Sequence, residues 1–526
     1  MRFKDLGQKE IDYAKAIHQD GSLKWDDKMR ILIDFFGKSE RTVRKWLVRL
    51  GIKNRQDVEI ESEQYQAAKL AELDKTKKYY LITAAQNNTP VVTKFLKNME
   101  KYADFLNGSI IVIPYRYRNP TSLNFDSSDE HWHPSIVKYL NATKMNLNSK
   151  FTVLGDIKVQ PTSVNPLLGA QGFTDEKSCI LGHPSIHFET MPVLEGYDKK
   201  FMMTTGVITK ENYTDTLTGK RGEFNHTFGF AIVEVVDDEK FFVRQVTANS
   251  NGSFTDLFFK VSDEKISVVD ECGAVVFGDI HVGDHNEKVV ESAIKMCRRI
   301  KPGHIILHDL FNAKSINHHE LDNPFHQFKL EKDNKNSLKQ EIDDMLDWLE
   351  QLNDFNVVVV KSNHDDFVSK WLLQDWRKQK TIKNSVEYMK FAALLLEGKA
   401  PNGIIPYVIN ERFPKIKCLG INDGFIVNSW ELGQHSNIGT SGTRGSLSSY
   451  SKLSIKCILG HGHCATRKKG AIMVGTFTNL RVGYNHGPSK WVNACSIVNK
   501  DKKAQIIIFN EDGEYTTLKK LIKKLN

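Results

Sequence analysis

The sequence predicts an α/β protein in three parts: a small all-α head, an α/β middle, and an α/β C-terminal half whose sheet presents a site at its carboxyl edge. Three observations predict this. Residues 29–50 show helical periodicity on both sides of a glycine-containing turn. From Tyr79 onward, short β-branched runs alternate with amphipathic stretches. In the C-terminal half, five such runs each lead into a His, Asp or Asn.

The bulk properties narrow the class. A chain of 526 residues is long enough for two to four domains with cores of their own. With 40% hydrophobic and 26% charged residues, the composition is that of an ordinary soluble protein. No stretch approaches the ~18–20 consecutive apolar residues of a membrane span, so no membrane partner is expected. The opening Met1-Arg2-Phe3-Lys4-Asp5 lacks the apolar core of a signal peptide. The 7 cysteines are scattered with no CxxC pair, which suits reduced thiols in a cytoplasmic protein. A net charge of +9 is compatible with a polyanionic partner. Nothing here names a protein partner, and association into a homo-oligomer is left open.

In the head, residues 1–56, 14 basic residues face 8 acidic ones. Met29, Leu32, Ile33 and Phe36 mark one helical face, and Gly37-Lys38-Ser39 supplies a turn and an N-cap. The next helix puts Val43, Trp46, Leu47 and Leu50 on one side and Arg41, Arg44, Lys45 and Arg49 on the others. That is the helix-turn-helix plan, with DNA as the expected partner and those four cations as its expected contacts. A plain helical hairpin with a solvated basic face has the same pattern.

Residues 57–77 are polar and charge-mixed and read as a linker. Residues 78–265 read as a separate α/β domain of unassigned role. It opens with a strand at 80–84, a helix at 91–106 and a strand at 109–114, and is richer in β-structure near 228–261. The loop Gln86-Asn87-Asn88-Thr89-Pro90 lacks the glycines of a dinucleotide site. Arg116, Arg118, Lys210, Lys220, Arg221 and Arg244 fit either a DNA path or ordinary surface charge. His131, His133, His183, His187 and His226 have no spacing that compels a metal site. No internal repeat or low-complexity tract is evident.

Residues 266–526 carry the chemistry. The aliphatic runs lead into Asp279-Ile280-His281, Asp309, Asn363-His364-Asp365, His435 and His461-Gly462-His463. Strands that each end in a ligand place those ligands along one sheet edge, where open α/β sheets bind. Imidazole, carboxylate and amide without thiolate suit Mn²⁺, Fe or Zn²⁺. Asp365 and Asp366 also suit the first turn of a helix before Phe367, and His304, His308, His318, His319 and His326 suit core positions. Between the third and fourth motifs, an insertion at 367–412 carries Trp371, Trp376, Arg377, Lys378 and Lys380, a mixture that either holds strands by stacking or packs as a helical lid. A Gly/Ser-rich loop at 439–451 lies beside His435.

The order and spacing of the five pieces resemble the calcineurin-like metallophosphoesterases, whose pattern is DxH, GD, GNHD or GNHE, H and GHxH. The resemblance covers roughly residues 270–510. Asp309-Leu310-Phe311 looks most like DNA-repair exonucleases of the SbcD type, and the ending resembles phage-encoded members linked to DNA degradation. The resemblance implies a layered β-sandwich flanked by helices and two divalent metal ions, with Mn²⁺ favoured and Fe or Zn²⁺ as alternatives. It assigns Asp279, His281, Asp309 and His463 to one ion, and Asp309, Asn363, His435 and His461 to the other. His364 would face the scissile phosphate and Asp365 would orient it. His308 and Ser362 stand where the family usually has glycine.

These expectations make the protein a two-metal-dependent DNA nuclease in the cytoplasm, the host's if the chain is phage-encoded. A phosphatase or cyclic-nucleotide phosphodiesterase keeps the chemistry and changes the substrate. A non-catalytic DNA-binding regulator with a disabled phosphoesterase fold is the third reading.

Overall fold

The computed structural model describes residues 6–20, 22–23, 25–39, 42–43, 46–47, 50, 66–67, 73–118, 131–375, 382–468, 470–483 and 485–524. In the head, helices Gln8–Gln19 and Trp25–Phe36 pack through Ala14, Met29, Leu32 and Phe36 onto Val43, Trp46 and Leu47. Gly37 takes a left-handed φ of 57°, and the Ser39 carbonyl accepts from the Thr42 and Val43 N–H groups at 2.8 and 3.0 Å. The apolar faces therefore meet as their periodicity requires. Arg41, Arg44, Lys45 and Arg49 lie outside the described residues, as do most of 57–77 and Trp376, Arg377, Lys378 and Lys380.

The strands, in chain order, are β1 Gln66–Ala67, β2 Tyr79–Gln86, β3 Ser109–Tyr115, β4 His131–Trp132, β5 Lys144–Asn146, β6 Phe151–Leu154, β7 Ser178–Leu181, β8 His187–Met191, β9 Lys200–Thr204, β10 Gly229–Val235, β11 Phe241–Thr247, β12 Phe254–Asp256, β13 Phe259–Ser262 and β14 Lys265–Val268. Then come β15 Cys272–Val276, β16 Pro302–Leu307, β17 Val357–Val359, β18 Lys417–Cys418, β19 Ile426–Val427, β20 Trp430–Glu431, β21 Lys456–Leu459, β22 Thr466–Lys468, β23 Ala471–Met473, β24 Asn493–Val498 and β25 Ala504–Phe509. Two large sheets dominate. One has the order β18-β17-β16-β15-β24-β25, and the other runs β19-β20-β21-β23-β22-β8-β9-β7-β6-β5. The protein is a mixed α/β molecule.

The topology repeats although the sequence pattern does not advertise it. β2 and β3 are parallel across helix Thr93–Leu106, and β10 and β11 add antiparallel on the other side of β2. β15 and β16 are parallel across helix Glu287–Ile300, and β24 and β25 add in the same sense. In the ten-stranded sheet, β5-β6-β7-β9-β8 and β19-β20-β21-β23-β22 have the same order and the same strand directions. Cys179-Ile180-Leu181-Gly182-His183, on and just after β7, matches Cys457-Ile458-Leu459-Gly460-His461 on β21 residue for residue. Equivalent strands β8 and β22 meet antiparallel at the centre, with Arg467 opposite Phe188, as a local two-fold would arrange them. Two copies of one topology, the second enlarged by β17 and β18, thus share one sheet.

The division at residue 265 is consequently not a division of the sheets. One apolar cluster takes Ile82, Ile113, Val153 and Ile180 from the first copy together with Val276, Ile306, Ile458 and Ile472 from the second. Local periodicity places β2, β3, β10 and β11 correctly but carries no signal for pairing between segments so far apart. Arg244, a candidate for surface charge or a DNA path, is 2% exposed and lies between Glu234 and Asp256. Trp371, offered as a stacking residue, is 1% exposed and belongs to the core.

His183 lies buried at the end of the first copy's Cys179–His183 match to Cys457–His461. Its Nδ1 accepts from the Ser185 N–H at 3.0 Å, and Nε2 donates to the Gln160 carbonyl at 3.2 Å, a pattern that one proton satisfies. Burial lowers its pKa from 6.5 to about 4. As pH falls below 6.5, the unfolded chain therefore binds a proton that the folded chain does not, and stability present above 6.5 is lost down to about 4. By pH 5 the loss reaches about 2 kcal/mol. Urea melts of His183→Gln at pH 7 and pH 5 should show a difference smaller than wild type by about that amount; an unchanged difference would mean His183 does not carry it.

Candidate metal centre

The centre lies at the carboxyl ends of β15, β16 and β21 and in the turns that follow β17 and β20. These turns are laced together by their backbones. The Ile280 and His281 N–H groups donate to His308 and Asp309 carbonyls at 3.2 and 2.8 Å, and the Phe477 N–H donates to the Asp279 carbonyl at 2.7 Å. Four candidate ligands hold left-handed backbone: His281 (φ 48°), Asp309 (φ 42°), His461 (φ 74°) and His463 (φ 52°). L-residues adopt that region at a cost, and such strain concentrates at functional sites. Gly460 is required beside them, because a Cβ there would lie 2.6 Å from an Asp279 carboxylate oxygen.

The side chains converge as two overlapping groups. One ligand atom each from Asp279, His281, Asp309 and His463 lies within 4.8 Å of the others, and Asp309, His435 and His461 do the same. Asp309 belongs to both. Its Oδ2 is 3.0 Å from His435 Nε2 and 3.6 Å from His281 Nε2, while His463 Nε2 is 3.0 Å from Asp279 Oδ2. Asp279, His281, Asp309 and His435 are all nearly or fully buried.

The donor set fits a cation. Asp279 Oδ1, Asp309 Oδ1 and Asn363 Oδ1 are buried without a hydrogen-bond partner. His281 Nε2 and His463 Nε2 face each other at 3.3 Å. Buried acceptors that converge without donors are costly unless a positive charge sits among them. Burial lowers His281 to about 3, leaving a neutral ring with a lone pair to offer. Burial alone would raise Asp279, but His463 and then His435 outweigh it and hold the carboxyl near 2. Burial would lower His435, and the adjacent Asp309 lifts it instead to about 9. Without a cation, a proton on His435 balances Asp309.

His364 stands next to this cluster, its ring 4.5 Å from that of His281 and stacked on Phe367 at 4.6 Å. Asp365 does not orient it. The Asp365 carboxylate turns back to accept from the Ser362 N–H at 2.9 Å, closing the turn before helix Asp365–Leu372. The orienting contact comes from the Asn312 carbonyl, 2.7 Å from His364 Nδ1. This fixes the Nδ1–H tautomer and leaves Nε2 for chemistry. Sequence reasoning does not reveal this contact, because a backbone carbonyl leaves no residue-type signature.

His308 departs from a simple core role. It is fully buried, its ring is inclined 28° to that of His435, and the two Nδ1 atoms are 3.4 Å apart. With His435 Nε2 turned toward Asp309, a neutral His308 accepts from His435 Nδ1–H, the second contact by which a ligating histidine is aligned. Burial lowers His308 to about 3, which keeps it an acceptor. His304 and His318 pack against Phe425 and Phe367 and stay outside the cluster.

The first copy lacks the ligands. Ala84 makes the hydrogen bonds that Asp279 makes in the second, from its N–H to Gly206 and from Ile208 to its carbonyl, at 3.2 and 2.9 Å. Around Gly182, Ile113 and Ala84 stand where His308 and Asp279 surround Gly460. His183 is the equivalent of His461, but Ser185 takes the place of His463. Among the described residues, both candidate metal groups belong to the second copy.

No family model matches the chain, and no solved structure matches it. It is 28% identical over 472 residues to "Protein A1" of Escherichia phage T5, and the match covers 83% of each chain.

Proposed function

We propose that the protein is a two-metal-dependent deoxyribonuclease that hydrolyses phosphodiester bonds. The observation that carries the reading is Asp309, shared by two converging ligand groups among orphaned buried acceptors. Asp279, His281, Asp309 and His463 would hold one divalent ion, and Asp309, Asn363, His435 and His461 the other. Mn²⁺ suits the nitrogen and oxygen donors, and Fe or Zn²⁺ are the alternatives. Such ions supply Lewis-acid activation of water and of the phosphodiester.

The chain's own groups do the rest. His281, neutral in the fold, keeps its lone pair for coordination, and His308 aligns His435. His364, held by Asn312, presents Nε2 to stabilise charge on the phosphate or to protonate the leaving oxygen. DNA as substrate is supported by the basic head, with Arg41, Arg44, Lys45 and Arg49. The host cytoplasm is the matching location.

The test is degradation of linear and circular DNA with Mn²⁺ against EDTA. Metal-dependent cutting is expected, and the linear-to-circular contrast separates exonuclease from endonuclease action. Turnover of small phosphoesters without any cutting of DNA would move the protein to the phosphatase reading. His364→Ala should lower kcat by roughly 10²–10⁴-fold while leaving metal content intact. Wild-type kcat in that variant would remove His364 from the chemistry.

A further inference from the structure

The two copies leave a cleft of about 720 Å³ between them. From the first copy it is lined by Ser185, His226 and Thr247, and from the second by Trp430, Tyr450 and a set of cations. Those cations are Lys452, Lys456, Arg467, Lys502 and Lys503, and no Asp or Glu is among the described lining residues. Asp501, next in sequence to Lys502, is turned toward Asn249 and Thr255 at 3.4 and 3.5 Å.

Arg467 gives the cleft its character. It is 7% exposed, its Nη1 donates to the Ala504 carbonyl at 3.3 Å, and its Nε has no partner. Burial lowers its pKa to about 10, and no carboxylate offsets that effect. Burial, and then Arg467, lowers Lys456; burial, and then Lys456, lowers Lys503, with Asp501 offsetting only part of the effect. Cations packed closely enough to depress one another raise the free energy of the empty cleft, and an anion entering it relieves that repulsion. The guanidinium fork matches phosphate oxygens. Phe224, which also lines the cleft, is 82% exposed and offers a face for a base to stack on. The volume falls within the ~300–1,000 Å³ of small-ligand sites, and junctions between structural units are where such sites concentrate.

We propose that this cleft binds a nucleoside phosphate, its phosphates on Arg467 and the lysines and its base on Phe224. The ligand is either a free nucleotide or one unit of a nucleic-acid strand. The site is separate from the metal centre and involves none of its ligands.

Titration calorimetry on the full-length protein in EDTA, so that the metal centre contributes nothing, tests this with four probes: dATP, inorganic tripolyphosphate, a 5′-phosphorylated single-stranded hexanucleotide and hexaglutamate. Saturable binding of dATP or the hexanucleotide is expected, at least tenfold weaker in Arg467→Met and in the more exposed Lys503→Glu. Phe224→Ala should weaken nucleotide binding severalfold and leave tripolyphosphate unchanged. Tighter binding of dATP than of the hexanucleotide identifies a free nucleotide as ligand, and the reverse identifies a strand. The proposal is overturned by no binding of either, by equal affinity in natively folded Arg467→Met and Lys503→Glu, or by preference for hexaglutamate. Because the experiment excludes metal, its failure leaves the nuclease reading standing, and failure of DNA cutting leaves this site standing.

Discussion

Asp309→Ala is expected to abolish Mn²⁺-dependent cutting, lowering kcat/KM by more than about 10³-fold, and to remove bound metal. Asp309 is the one carboxylate placed in both ligand groups, so its loss opens both at once. It is also the charge that lifts His435, and without it the acceptors around the site lose the group that organises them. An outer partner of a ligand typically costs 10- to 100-fold in metal affinity when removed. His308→Ala should fall in that range, and Asp309→Ala well beyond it. Elemental analysis after gel filtration, alongside the DNA assay, separates the two. A folded Asp309→Ala protein that keeps two equivalents of metal and cuts at the wild-type rate would falsify the two-metal assignment.

The second large effect concerns stability. Arg244→Ala should destabilise the protein by about 3–5 kcal/mol, the cost of leaving buried charges unpaired. Arg244 donates from Nε and Nη2 to Asp256 at 2.7 and 3.0 Å and from Nη1 to Glu234. The two carboxylates have further donors: Tyr102 and Gln505 on Asp256 at 2.8 and 2.9 Å, and Thr516 and the Thr517 N–H on Glu234 at 2.7 and 2.8 Å. The network thereby ties β10, β11 and β12 to β25 and to the segment after it. Removing the cation leaves two carboxylates facing each other in the core, so the loss far exceeds that of one surface pair. Glu234→Gln/Arg244→Met/Asp256→Asn should recover much of it, because no buried charge is then left alone. Urea melts measure both variants; a loss below about 1 kcal/mol for Arg244→Ala would mean that water reaches the cluster.

How much of this was legible depended on how local each signal was. Asp279, His281, Asp309, His435, His461 and His463 each end or follow an aliphatic run, and residue type plus position marks them without tertiary information. His308 and Asn312 act through contacts that form only when β16 is brought beside His435 and His364. Asp365 shows the opposite failure: its place beside His364 in sequence suggested a partnership, but the start of a helix turns its carboxylate to Ser362. The repeated topology was hidden because five matching residues, Cys179 to His183 and Cys457 to His461, are too few to register as a period. Most other equivalent positions conserve strand direction and burial and change residue type, as Ala84 does for Asp279.

The pairing of β8 with β22 has a consequence for dilution. A seam between two equivalent units is ordinarily made by separate molecules, and its occupancy then falls as their concentration falls. Here one chain supplies both sides, so the encounter is intramolecular and the local concentration of each side is set by the connecting segment rather than by the cell. The unit without ligands thus stays a permanent neighbour of the one that has them, at any level of expression.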